Sequence, residues 1–424
     1  MSRVSRSKST ALYAAYTKFE KQHGSRTTLE STVLGKRRIQ YEEELNHDGR
    51  NYDVWFDYTR LEESALADLR EEGATQEEED AAISRIREVY ERAVAQIPPG
   101  SEKRHWRRYI FLWVDYALFE EIETKNFERT QQIYDTALQL VPHKQFTFAK
   151  LWLLYSKFLV RQLRLTEARK LLGRAIGMCP KEALFKGYIE LEVDLREFDR
   201  ARILYEKYIE FDPTSSGAWI KYAELESQLS DYARTRGIFE LGASQPALSM
   251  PEILWKAWID FEIGEGEREN ARKLYERLVQ LSGHLKVWLS YASFEAQPIP
   301  IPRDERDEDE DDDDEQKTQP GDRDLARRVF ERAYEDLKSK GQKHERYALL
   351  KFWKDFEEEL GDKDLIAKVE AKMPVVGKKR FVDQETGQTV EDHDYIFPDD
   401  ERESNPSTFR FLQMAHAWKQ QQRG

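Results

Sequence analysis

The chain has 424 residues, 35% of them charged and 12% aromatic, and a formal net charge of −14. Its single cysteine, Cys179, excludes a disulfide within the chain and a thiolate metal cluster, the usage expected of a reducing, intracellular compartment. No apolar run approaches the ~20 residues of a membrane-crossing helix, and the Ser- and Arg-rich stub Met1 to Thr10 lacks the hydrophobic segment of a secretory signal.

Beyond the stub, one phrase recurs nine times: aromatic, two residues, aromatic, two residues, an apolar residue, then usually Glu. It reads Tyr13-Tyr16-Phe19-Glu20, Trp55-Tyr58-Leu61-Glu62, Trp113-Tyr116-Phe119-Glu120, Trp152-Tyr155-Phe158 and Phe185-Tyr188-Leu191-Glu192. It continues Trp219-Tyr222-Leu225-Glu226, Trp255-Trp258-Phe261-Glu262, Trp288-Tyr291-Phe294-Glu295 and Leu350-Trp353-Phe356-Glu357. A spacing of three paints one stripe of a helix, here called helix A. The phrases start 42, 58, 39, 33, 34, 36, 33 and 62 residues apart, a period near 34 with insertions, which is the mark of stacked helical hairpins. Eight of the ten tryptophans fill these slots and are thereby assigned to the core.

A second phrase follows each of the first eight: small residue, Arg, two residues, aromatic, Glu, basic, small. Arg87-Val89-Tyr90-Glu91-Arg92-Ala93 and Ala271-Arg272-Leu274-Tyr275-Glu276-Arg277 are examples. Positions 0, +3, +4 and +7 share a face, so this is an amphipathic helix B whose small residues allow close approach. Pro98, Pro142, Pro180, Pro213 and Pro246 come just after it and stop it, since proline cannot continue a helix. One such hairpin cannot bury both faces, so neighbours must stack.

The phrase-A Glu lies on the buried stripe, where a carboxylate without a partner is costly. The phrase-B Arg is the natural partner, because a guanidinium holds a carboxylate bidentately. Glu is missing from phrase A only at Leu159, and Arg from phrase B only at Gln131, at the same junction between repeats three and four. This predicts bridges between successive repeats, Arg87 to Glu120, Arg169 to Glu192, Arg202 to Glu226 and Arg236 to Glu262, with pairing inside one repeat as the alternative.

Leu66 to Ala82 is a Glu-rich, proline-free insertion that extends helices. Lys103, Arg104, His105, Arg107 and Arg108 interleave with Trp106 and Tyr109, the composition of an RNA contact through Arg104, Arg107 and Arg108, or of a protein or intramolecular contact. Between Asp304 and Glu315 eleven of twelve residues are acidic, giving −10 and leaving only −4 elsewhere. Flanking prolines make residues 298–322 a disordered loop within repeat eight, either a solvated spacer or a contact for a basic partner. From Pro374 the repeats cease. Lys378-Lys379-Arg380 is a weak nuclear-import patch, and Val375 to Asp394 reads as extended or disordered. Asp394-Tyr395-Ile396-Phe397-Pro398 is a docking word or a cap, and Ser407 to Gln422 reads as a final helix.

A Trp-Tyr-Glu first helix, an Arg-Tyr second helix and a closing Pro resemble half-a-tetratricopeptide (HAT) repeats more than ordinary tetratricopeptide repeats. The words KRHWRRYIFLWVDYALFEE (Lys103 to Glu121), PHKQFTFAKLWLLY (Pro142 to Tyr155), LREFDRARILYE (Leu195 to Glu206), MPEILWKAWIDFE (Met250 to Glu262) and DYIFP (Asp394 to Pro398) are similar to the C-terminal half of the crooked neck splicing-factor family. The likeness runs from about Leu12 to Gln422. Family members carry many further repeats before the point where this chain starts, so functions of those repeats do not carry over.

The expected fold is therefore all-α: a right-handed α-solenoid of antiparallel helix pairs, about nine repeats over residues 11–373, with a tail over 374–424. Trp55, Tyr58, Trp113, Tyr116, Trp152, Tyr155, Trp219, Tyr222, Trp255, Trp258, Trp288 and Tyr291 are its expected repeat core. The sequence holds no glycine-rich phosphate loop and no H-E-x-x-H, G-x-S-x-G or C-x-x-C, and none of its eight histidines is three or four residues from another. No catalytic, cofactor or metal residues are expected, and no small-molecule substrate. The resemblance implies a nuclear scaffold of the spliceosome, in the nineteen complex, with a second HAT-repeat subunit and a Myb-related subunit as partners and snRNA or pre-mRNA nearby. The alternatives are a HAT scaffold for messenger 3′-end processing and a direct RNA-binding module.

Overall fold

A computed structural model describes residues 26–100, 102–301, 318–382 and 389–400, with Ala15 and Lys18–Phe19; for 26–31, 376–382 and 389–394 it describes the backbone alone. The acidic run Asp304–Glu315, the helix expected at Ser407–Gln422 and the first phrase, except Phe19, lie outside the described residues. Seventeen α-helices and two short antiparallel hairpins make up the described part. The chain divides into two compact units, Met1–Asp212 and Pro213–Gly424.

The first unit holds α1 (Arg26–His47), α2 (Tyr52–Glu71), α3 (Gln76–Val94), α4 (Lys103–Ile122), α5 (Phe127–Leu140), α6 (Ala149–Arg161), α7 (Leu165–Met178), α8 (Glu182–Asp194) and α9 (Phe198–Phe211). The second holds α10 (Ser216–Gln228), α11 (Tyr232–Ala243), α12 (Pro251–Gly264), α13 (Arg268–Ser282), α14 (Leu285–Ala296), α15 (Arg323–Ser339), α16 (Lys343–Leu360) and α17 (Lys363–Lys372). Within each unit, every even-numbered A helix packs on the B helix that follows it and on a neighbouring A helix, as between α2 and α4 or α14 and α16, and all but α10 pack on the B helix before them. This is the all-α solenoid arrangement of stacked helix pairs.

Small residues permit the stacking. Ala93, Ala137, Ala168, Ala175, Ala201, Ala271, Ala326 and Ala333 of the B phrase are all 0% exposed. Between α6 and α8 the approach is close: a β-carbon at Gly187 would push the Leu153 side chain aside. The Glu-rich insertion at 66–82 is absorbed by lengthening α2 and starting α3 early, behind a capping box at Thr75 and Glu78.

The turns have two chemistries. From A to B the chain reverses through one left-handed residue: Gly73, Lys125, Leu163, Arg196, Ser230, Gly266 or Gly361. From B to A it stops at the expected prolines; none stands after α1, where the chain turns through Asp48 to Asn51, or after α13 and α15, where Gly283 and Gly341 take positive φ. Indole N–H groups fasten the following A helix to this junction. Trp55 donates to the Gly49 carbonyl, Trp106 to Gly100 and Trp219 to Pro213, at 2.9–3.1 Å.

In repeat four the same fastening runs through a relay. Trp152 donates to the Thr147 hydroxyl, which lies 2.9 Å from His143 Nδ1, while His143 Nε2 lies 2.8 Å from the Leu138 carbonyl. A carbonyl only accepts, so Nε2 carries the proton and Nδ1 is the acceptor.

β1 (Ile299–Pro300) pairs with β2 (Thr318–Gln319) and closes the neck of the acidic insertion between α14 and α15. β3 (Val375–Val382) pairs with β4 (Thr389–Ile396), giving the extended reading of the tail a definite register, with Lys378 opposite His393.

Two outcomes follow from these turns. Leu163 is 92% exposed at φ +60°, a conformation that costs an L-residue ~1–2 kcal/mol. Leu163→Gly is expected to raise stability by about 0.5–1 kcal/mol after glycine's entropy is offset, and Leu163→Ala not to; a lower melting midpoint for the glycine variant would contradict the left-handed turn. Burial, and secondarily Arg174, lower the His143 pKa against the opposing Leu138 hydrogen bond. The unfolded chain therefore takes up this proton first, near pH ~6.5, so stability is full above that value and is lost as pH falls below it. Denaturant unfolding at several pH values should show this loss in the wild type and a smaller one in His143→Gln; equal slopes would rule the relay out as its source.

Candidate functional site: inter-repeat joints and charged surfaces

The recurring chemical unit of the molecule is the joint between a B helix and the next A helix. Arg87 on α3 donates from Nε and Nη2 to both oxygens of Glu120 on α4, each at 2.7 Å. Arg169 does the same to Glu192 at 2.9 and 2.7 Å, and Arg236 to Glu262 at 2.9 Å. Arg38–Glu62, Arg272–Glu295 and Arg327–Glu357 repeat the pattern. In every one the arginine belongs to the preceding repeat. The carboxylates are at most 3% exposed, whereas the guanidinium side chains keep 16–35%. Hydrogen bonding to the glutamates raises the pKa of Arg87, Arg169, Arg236, Arg272 and Arg327 despite burial. The members of the remaining expected pair, Arg202 and Glu226, belong to different units. Within their own, Arg202 lies 2.9 Å from Asp199 and the fully buried Glu226 has Arg234 at 3.9 Å.

At most of these junctions, though not at Arg169–Glu192 where α7 carries Leu171 and Leu172, an aromatic ring of helix B stacks on the second aromatic of the next helix A. Tyr90 and Tyr116 are 4.9 Å apart, Tyr134 and Tyr155 5.0 Å, and Tyr275 and Tyr291 5.0 Å, all within 9° of parallel. Phe239–Trp258 and Phe330–Trp353 take the same place. All twelve expected core aromatics are buried. In repeat three, however, the junction anchor is Trp106, two turns before Trp113, whose indole nitrogen finds no acceptor among the described residues.

At the exceptional junction the pairing moves. Arg164 donates to Gln131 at 2.6 Å, and Arg161 at the end of α6 grips Glu121 on α4 at 2.6 and 2.7 Å. A salt bridge between neighbouring A helices thus replaces the one between Gln131 and Leu159 that their side chains cannot make.

A second ladder, which sequence reasoning missed, links consecutive B helices. Arg92 binds Glu42, Arg277 binds Glu240 and Arg332 binds Glu276, each through two bonds at 2.6–2.8 Å. The same guanidinium groups lie over Trp55, Trp255 and Trp288. Phenols of the intervening A helix donate to the same carboxylates, Tyr58 to Glu42 and Tyr291 to Glu276. Burial, reinforced by those carboxylates, raises both tyrosine pKa values. The signal was the Glu-basic step inside phrase B.

The basic segment is split by the fold. Trp106 and Tyr109 are buried and so cannot stack on bases. Arg104 pairs with Glu102 and Arg108 with Asp53, both on the exposed side of α4. Arg107 is exposed.

Between A helices lie shallow grooves of about 290 Å³. One, between α2 and α4, is lined by Arg60, Glu63, Leu66, Asp115 and Ile122; the other, between α6 and α8, by Val160, Gly187, Leu191 and Leu195. The tail word covers the end of the second unit. Phe397 is fully buried beneath the Arg346 guanidinium at 3.9 Å, Tyr395 stacks on Tyr347 at 4.7 Å, and Arg346 binds Asp400 at 2.8 Å. Among the described residues no His, Cys, Asp or Glu group is placed to hold a metal ion, and no helix is long and apolar enough to cross a membrane.

Comparison with known proteins agrees with this repeat chemistry. Residues 37–214 match a family described as the pre-mRNA-splicing factor Syf1/CNRKL1 N-terminal HAT repeat, and residues 185–297 match the PRP39 N-terminal HAT repeat. The chain is 51% identical over 423 residues to pre-mRNA-splicing factor CLF1 of Paracoccidioides brasiliensis, covering 100% of this chain and 59% of that protein. It is 46% identical to crooked neck-like protein 1 of Mus musculus over 100% of this chain and 56% of the relative. It is 45% identical to pre-mRNA-splicing factor cwf4 of Schizosaccharomyces pombe over 98% and 58%. The chain thus spans less than two thirds of the length of these relatives. Over that span it belongs to the crooked neck/CLF1 family of HAT-repeat proteins.

Proposed function

We propose that this chain is a non-enzymatic scaffold of the spliceosome that bridges protein subunits in the nucleus during pre-mRNA splicing. The observation that carries this reading is its end-to-end similarity, at 45–51% identity, to proteins named as pre-mRNA-splicing factors. The geometry supports it. The buried ionisable groups are spent on holding repeats together, and what remains outward is a series of grooves between A helices with apolar walls and charged rims. Such surfaces take up helices or extended segments of other proteins. The partners proposed are a second HAT-repeat subunit and a Myb-related subunit of the nineteen complex.

Tagged chain recovered from nuclei is expected to co-elute with those two subunits and other splicing proteins, and to keep them after ribonuclease treatment. Recovery of messenger 3′-end cleavage subunits in their place, or of splicing proteins only while RNA is intact, would contradict a protein-bridging scaffold.

A further inference from the structure

The end of the second unit carries a pocket whose wall comes from α15 and α16 and whose content comes from the tail. Arg346, near the start of α16, is 2% exposed, a rare burial for a cation. Its guanidinium is held from the wall side. Nη2 donates to the Tyr334 hydroxyl on α15 at 2.6 Å, and the Tyr334 ring centre lies 4.4 Å away. His344 and Tyr347 extend the wall along the first turns of α16. The tail supplies the other side. Tyr395 stacks on Tyr347 at 4.7 Å and meets His344 edge-on at 5.0 Å, and the Phe397 ring centre lies 3.9 Å from Arg346. Ile396 between them is 40% exposed, the alternation of extended chain. Pro398, with its fixed φ, then opens a helical turn that returns two carboxylates to the pocket. Asp399 accepts from the Tyr334 hydroxyl at 2.9 Å, and Asp400 accepts from Arg346 Nη1 at 2.8 and 3.0 Å.

These contacts have the form of a ligand in a site. They come from six consecutive residues, 395–400, set apart from α17 by the β3–β4 hairpin. The bond from Arg346 to Tyr334 does not involve the tail, so the wall keeps its cation oriented without it. Burial pushes the Tyr334 pKa up to about 12 despite the opposing Arg346, which keeps the phenol a donor at neutral pH. Arg346 Nε finds no acceptor among the described residues, so the tail leaves one donor of a buried cation unmet. A permanently packed core group rarely carries that cost. A tether of this kind supplies an effective concentration of about mM, so a word binding with a Kd of about 10 μM would be bound most of the time and still exchange.

We propose that Tyr334, Arg346 and Tyr347 form a peptide-binding site for an aromatic-x-aromatic-Pro-Asp-Asp segment, and that the chain's own residues 395–400 fill it as an exchangeable ligand. Each part of the word has a physical task. The two rings, two residues apart, reach the same side of an extended chain. Proline makes the turn, and the acid pair neutralises a cation that would otherwise stand buried without a counter-charge. A segment of the same chemistry from another protein chain competes for the site when the tail lets go. Nothing in this site depends on the splicing reading.

The test uses the full chain with its own word disabled, Phe397→Ala/Asp400→Asn, and a fluorescein-labelled peptide of residues 393–402, HDYIFPDDER, followed by anisotropy. The opened chain is expected to bind the peptide at least about tenfold tighter than the wild-type chain, where the tethered word competes. Peptide carrying Phe397→Ala or Asp400→Asn is expected to bind the opened chain about tenfold or more weakly, and Tyr347→Ala added to that chain to cause a similar loss. Saturating peptide should raise the melting midpoint of the opened chain and leave that of the wild type unchanged, a rescue that a merely structural plug would not show. If the double substitution prevents folding, Asp399→Asn/Asp400→Asn keeps the Phe397 ring, opens the site more mildly and is expected to give the same order of affinities. Equal binding to wild-type and opened chains, equal binding of the substituted peptides, or no binding to a folded opened chain would overturn the proposal. These measurements on purified protein do not involve splicing subunits, so their failure is separable from failure of the scaffold reading.

Discussion

A carboxylate buried on every A helix except α6 is the constraint from which the rest of this structure follows. Glu120, Glu192 and Glu295 are at most 1% exposed, and a charge so placed is tolerated only if its partner is aligned with it. The partner comes from the helix before, as a guanidinium fork whose two parallel bonds fix distance and rotation together. An apolar seam alone would let one hairpin slide or turn on the next. With the fork in place and a pair of rings stacked beside it, as Tyr90 on Tyr116, one stacking geometry is selected. Because each joint couples only nearest neighbours, stability is distributed along the chain as a sum of local terms.

Much of this is legible in the amino-acid order because it is periodic. A spacing of three with rings and a terminal Glu defines one buried stripe, and the prolines mark where helix B stops. The joint loss of Glu at Leu159 and Arg at Gln131 pointed to pairing across repeats while leaving pairing within a repeat open. The ladder between B helices was not legible: Glu42, Glu240 and Glu276 look like ordinary surface charge until stacking brings Arg92, Arg277 and Arg332 against them. Nor was the transfer of the anchor from Trp113 to Trp106, since both lie on the same stripe of an unusually long helix. The left-handed turns at Lys125, Leu163, Arg196 and Ser230 escaped notice for a different reason: none of these residues advertises positive φ as glycine does.

The same reasoning separates structural from functional charge. Nine arginines are committed to carboxylates in the joints or between B helices, and their recurrence signals architecture. The tail word is likewise engaged within its own unit, with Phe397 under Arg346 and Tyr395 on Tyr347, so its side chains serve the end of the stack first. What stays open outward within the units includes the grooves between A helices.

The most direct measurement of the central constraint is a double-mutant cycle on one joint, with Arg169→Met, Glu192→Gln and the combined variant compared by denaturant unfolding. Loss of the arginine alone strands a fully buried carboxylate and is expected to cost about 3–5 kcal/mol, with the second substitution restoring much of it and a coupling energy of about 2 kcal/mol or more. Additivity within about 0.5 kcal/mol would show that the two side chains do not depend on one another. Stacking would then have to be attributed to the apolar seam alone.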